Sequence, residues 1–137
     1  MGQQQLLLIV LSAIIVGIAI VVGINLVTTS AGQANFDAVM QDLITLGERA
    51  REWYRKPALS GGGGNSFAAL TNDAAMNSLL GWPSSNENGT YSVQTAGSAT
   101  SVTFQGIGVE DLDANGTLLN ISVTAYRDSL VTTINDR

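Results

Sequence analysis

The sequence predicts an α+β chain: a long N-terminal α-helix, apolar in its first half and amphipathic in its second, packed against a small antiparallel β-sheet head. Three observations predict it. No Asp, Glu, Lys, Arg or His occurs from Met1 to Phe36, and the first charged side chain is Asp37. Apolar residues then return at helical spacing, as Phe36, Val39, Met40, Leu43, Ile44, Leu46, Ala50, Trp53 and Tyr54. From Asn88 onward, runs of Thr, Val, Ile, Tyr and Ser alternate with turn residues in the manner of short strands.

The first element is the charge-free run 6–27, broken only by Ser12, Gly17, Gly23 and Asn25, none of them ionisable. About 20 apolar residues in a helix cross the hydrocarbon core of a bilayer. A buried core helix is a poor alternative, because the rest of the chain is too small to enclose a helix that is apolar on every side. A cleavable secretory signal would carry a basic leader and a shorter apolar core. Here the apolar run is longer and no base precedes it, and Arg49, the first base, lies too far away to set orientation, so either a basic leader has been removed or something else decides orientation.

Residues 28–32, TTSAG, have low helix propensity and are the expected place for a bend. Beyond them the amphipathic part, 33–56, sets its apolar stripe against a polar face that includes Asp37, Gln41, Asp42 and Glu48. Glu48 is spaced to pair with Arg51, and Glu52 with Arg55 and Lys56. The basic cluster also suits the negative end of the helix dipole, and Pro57 stops the helix. A helix through Lys56 would be about 80 Å long, too long for one compact domain of this size, so it needs lateral partners.

The run MGQQQLLLIVLSAIIVGIAIVVGINLV, followed by an amphipathic continuation, resembles the N-terminal helix of type IV pilins and their pilin-like (pseudopilin) relatives. The resemblance covers about the first 56 residues. It implies a pilin-like fold, with 1–56 as membrane anchor and later filament core, and 57–137 as the head. It also implies a homopolymeric helical filament outside the cell, held in the cytoplasmic membrane before assembly and handled by a pilus assembly machinery. Two registers fit the family's processing after a Gly. If Met1 is the mature first residue, Gln5 stands where most members carry Glu; if a leader is cut after Gly2, Gln3 leads and Leu7 takes that place. Neither register supplies the acid, so a Gln5 amide oxygen would accept the neighbour's N-terminal amine without charge attraction. The expected assembly residues are Met1, Gln5, Leu6, Val16, Gly17 and Gly23. Gln3, Gln4 and Gln5 read equally well as a polar interfacial collar.

In the head, 60–66 reads as a flexible Gly-rich loop, and 67–80 as one short helix capped by Thr71 or Asn72 and ended by Gly81-Trp82-Pro83. A meander is expected over 88–135, with strands near 90–95, 100–110, 117–126 and 129–134. Asn115-Gly116 suggests a two-residue type I′ hairpin. Val102 and Phe104, and Leu119, Ile121 and Val123, should form the buried face.

Composition and motifs narrow the chemistry. The chain has 137 residues, 6 bases, 11 acids and a net charge of −5, so a nucleic-acid partner is not expected. With no Cys or His, thiol nucleophiles, His-based triads and Cys/His zinc sites are excluded. No catalytic residue or cofactor is expected; Glu110, Asp111 and Asp113 are the only acids clustered enough to suggest an enzyme, and no nucleophile accompanies them. Asp111, Asp113 and Asn115 open like a calcium loop, D-x-D-x-N-G, but the twelfth position is Ser122, and an Asx-stabilised turn is the competing reading. Asn88, Asn115 and Asn120 head N-glycosylation sequons by pattern. Function therefore divides between a filament subunit and a non-polymerising, single-span module displaying a β head for adhesion or binding.

Overall fold

The computed structural model describes residues 2–137. Met1, among the expected assembly residues, lies outside the described residues. The chain is α+β: one long helix lies across one face of a five-stranded antiparallel sheet. Helix α1 spans Gly2–Arg55, 54 residues or about 80 Å. It runs through 28–32 without a break in its hydrogen-bonded path. The expected bend does not interrupt it: strong flanking helix on both sides carries it through, and Thr28 and Thr29 donate their hydroxyls to the carbonyls of Ile24 and Asn25 within it.

The strands are β1 (Ser85–Asn86), β2 (Gly89–Thr95), β3 (Ser101–Gly108), β4 (Asn120–Tyr126) and β5 (Leu130–Asp136), paired in sequence order as a meander. Burial alternates residue by residue along β3, with Val102 and Phe104 on the face covered by α1. Leu119, Ile121 and Val123 join them in the core. From α1 the core receives Val39, Leu43, Leu46, Ala50, Trp53 and Tyr54. Phe36 and Met40 are partly covered at the margin, while Ile44 stays exposed, one position off the stripe that the sheet reaches. Helix and sheet approach closely at Gly106, where an added Cβ would stand 2.9 Å from Val39 and 3.0 Å from Leu43.

Helix α2 is Asp73–Leu80, shorter than 67–80. The Asn72 side chain accepts from the Ala75 N–H at 2.9 Å and starts it, while Gly81, in the left-handed conformation, ends it. Residues 67–72 are held outside the helix because Phe67 and Leu70 are fully buried and bond the β2–β3 connection: Phe67 N–H to Ser98 O at 2.9 Å, Gly97 N–H to Leu70 O at 2.8 Å.

Two further expectations are corrected. The Gly-rich loop is fastened rather than flexible: the N–H groups of Gly63, Gly64 and Asn65 bond the carbonyls of Trp53, Lys56 and Tyr54 at 2.8, 3.0 and 2.8 Å, capping α1. Gly63 is needed there, since a Cβ would lie 2.7 Å from the Trp53 ring. The Asn115-Gly116 pair is not a two-residue hairpin; it belongs to a longer loop, residues 109–119, in which Ala114 and Gly116 take positive φ and Asn115 does not.

Candidate functional site

The largest unpartnered feature is the first half of α1. Sixteen large apolar side chains from Leu6 to Val27 are each 51–69% exposed, and the head first covers the shaft at Gly32. Leaving that many aliphatic groups half open to water costs on the order of 20 kcal/mol against burying them, at about 1.5 kcal/mol or more each. The segment is long and apolar enough to cross a membrane. Its hydroxyls suit lipid as well: Ser12 donates to the Leu8 carbonyl at 2.7 Å, so it does not need water.

Gly2, Gln5, Leu6, Val16, Gly17 and Gly23 all lie on this stretch. An added Cβ at Gly2, Gly17 or Gly23 would meet nothing within 4 Å, so no contact with the head requires these glycines. The basic cluster at the other end of α1 is divided. Arg51 pairs with Glu48 at 2.7 Å, whereas the expected Glu52 pairs are replaced by Arg55 reaching the Arg127 carbonyl at 3.5 Å. Arg49 lies 5.1 Å above the Trp82 ring and donates to the Gly81 carbonyl at 3.3 Å, which fixes α2 to the shaft.

Two polar side chains set where the head sits along the shaft, and neither was singled out from the sequence. Asn35, only 8% exposed, donates to the Asn88 carbonyl at 2.7 Å and accepts from the Val109 N–H at 3.0 Å and the Glu110 N–H at 3.3 Å. Asp42 Oδ2 accepts from the Tyr91 hydroxyl at 2.5 Å and from the Asn86 and Asn88 amides at 2.9 Å each. Burial opposes the Asp42 charge, but the hydrogen bonds from Asn88, Tyr91 and Asn86 outweigh it and hold the carboxyl below its ordinary value. Burial, together with the Asp42 hydrogen bond and charge, pushes the Tyr91 phenol up. The available signal for Asn35 was its place four residues before Val39, on the buried stripe.

The loop 109–119 is organised by its own side chains. Asp111 accepts from the Gly116 N–H at 2.7 Å, Asp113 from the Asn115 N–H at 3.3 Å, and Asn115 donates to Asp136 at 2.9 Å. Thr117 also bonds Asp136 and Asn115. Desolvation works against the Asp111 charge, yet the N–H groups of the turn hold its carboxyl below the ordinary range. Bonds from Thr117 and Asn115 do the same for Asp136. Among the described residues no group of three or more His, Cys, Asp or Glu is placed to hold a metal ion. The three sequon asparagines are engaged internally: Asn88 donates to Asp42, Asn115 to Asp113 and Asp136, and Asn120 accepts from Gln105 at 2.9 Å.

Comparison with known proteins finds no matching family, curated protein or solved structure.

Proposed function

We propose that this chain is a structural subunit of an extracellular type IV pilus-like filament. Its apolar half-shaft sits in the cytoplasmic membrane before assembly and packs among copies of itself afterwards, and the β head lies on the outside. The observation that carries this reading is the uncovered apolar run of α1, continuous in one helix with an amphipathic half that the sheet does cover. A span meant only to tether the head needs no stiff continuation into it; a shaft that must transmit position from core to surface does.

Exchange of lipid for neighbouring helices is nearly neutral in hydrophobic terms, so close packing decides association. Gly17 and Gly23 permit that approach. Gln5 supplies a hydrogen-bonding amide where a Glu would supply charge, which makes the axial register softer. The subunit works by shape and burial, with no catalysis. The test is negative-stain electron microscopy of sheared surface material with mass spectrometry of the same band. Filaments containing this chain, abolished by Val16→Asp, are expected. A membrane fraction that stays monomeric and bears no filaments selects the non-polymerising binding module.

A further inference from the structure

The head exposes apolar side chains at opposite ends, and each is bordered by charge of opposite sign. At the distal end, Arg55 and Lys56 precede Pro57 and the single turn Ala58–Ser60, from which Leu59 projects fully into solvent at 104% exposure. At the end nearer the apolar run, a pocket of about 330 Å³ opens between Ile107, Gly108, Val109 and Leu118, beside Asn86. Val109 and Leu118 are about half exposed there, and Glu110 and Glu87 adjoin the pocket residues in sequence.

The two features cannot meet within one molecule. The pocket is held at the level of Asn35 by the Val109 N–H bond, whereas Leu59 follows Arg55, which is roughly 30 Å farther along the shaft at 1.5 Å per residue. A lone surface leucine is ordinary. An apolar knob on one end and an apolar socket on the other end of the same chain make a heterologous contact that does not close on itself and so propagates. The flanking charges favour this pairing over knob against knob: the knob end is net basic, Arg55, Lys56 and Arg127 against Glu52 and Asp128, with Arg55 already 3.9 Å from Asp128, and the residues next to the socket are acidic.

We propose that Leu59 of one copy seats in the Val109–Leu118 pocket of the next copy along the filament, with Arg55 and Lys56 facing Glu110 and Glu87. This rests on the filament reading above, and adds to it the contact that stacks successive heads.

The chain has no Cys, so Leu59→Cys with Leu118→Cys in the full-length protein reports the contact without background. Both sites are solvent-exposed, and a disulfide forms only if the two Cα atoms come within about 7 Å. Oxidation of assembled material with copper phenanthroline is expected to give a ladder of multimers on a non-reducing gel, absent from either single variant. Filaments without a ladder overturn the docking and leave the filament reading standing; no filaments from the unsubstituted chain overturn both. Should the double variant fail to assemble, Leu59→Asp and Leu59→Met decide: loss of sheared filament with Asp but not with Met is expected, and equal yields overturn the proposal.

Discussion

The Tyr91 hydroxyl, on a strand, donates a 2.5 Å hydrogen bond to Asp42 on the shaft, and the two asparagine amides from the β1–β2 turn meet the same oxygen. Tyr91 is 1% exposed, so loss of its acceptor strands a buried hydroxyl. Asp42→Ala is therefore expected to destabilise the head by about 2–3 kcal/mol, and Tyr91→Phe by about 1 kcal/mol. Denaturant unfolding of the detergent-solubilised chain, followed through the fluorescence of the buried Trp53 and Trp82, measures both. Equal and negligible effects would show that the clamp does not hold the head to the shaft.

The same groups define a pH window. Asp42, Asp111 and Asp136 have carboxyls held below 3.8 when folded, so the unfolded chain takes up those protons first as pH falls. Their contribution is present above about pH 4 and is lost as pH drops through the lowered values. Tyr91 has the opposite sign: its raised phenol contributes below its ordinary value of 10, and that contribution is lost as pH climbs beyond it. The thermal midpoint is expected to be flat between about pH 5 and 9 and to fall on either side. Asp42→Asn should flatten the acid limb and Tyr91→Phe the alkaline one; unchanged limbs would contradict the assignment.

Gly106 lets the sheet lie directly under Val39 and Leu43. Gly106→Val adds bulk where a Cβ already falls at 2.9 Å, and is expected to destabilise by about 1–3 kcal/mol, the range for overpacking a filled core. Gly17→Val, in open space, should leave head stability unchanged within about 0.5 kcal/mol. The pair, compared by the same fluorescence assay, separates packing within the subunit from packing between subunits.

In the loop 109–119, Asn115 and Thr117 hydrogen-bond Asp113 and Asp136. Millimolar EDTA is expected to leave the thermal midpoint unchanged, and Asp136→Ala to lower it. A drop on adding chelator would replace the internal hydrogen-bond network with a calcium site.

The long helix, its buried stripe and the order of the meander were legible in the sequence because periodicity reports burial directly. Val39, Leu43 and Leu46 on one side, and Val102, Phe104, Ile121 and Val123 on the other, are the two halves of one core. What escaped was decided by the neighbouring helix or by tertiary contact. Low propensity at 28–32 did not interrupt the helix, since continuity with strong flanking helix outweighs a few tenths of a kcal/mol per residue. Phe67 and Leu70 left the helical path because burial in the core, with the Phe67 ring 4.5 Å from that of Tyr54, gives them more than another helical turn does. Asp42 was read as part of the polar face and Asn35 was not read at all; their partners lie more than 40 residues away, and no local pattern announces such bonds.

The central claim is that the exposed run of α1 becomes buried among copies of the chain. Thiol labelling of assembled filaments tests it most directly, with Val16→Cys on the shaft and Ala68→Cys on the exposed surface of the head. The account predicts that a water-soluble maleimide labels the head cysteine readily and the shaft cysteine only after denaturation. Equal labelling at the two positions in intact filaments would contradict it.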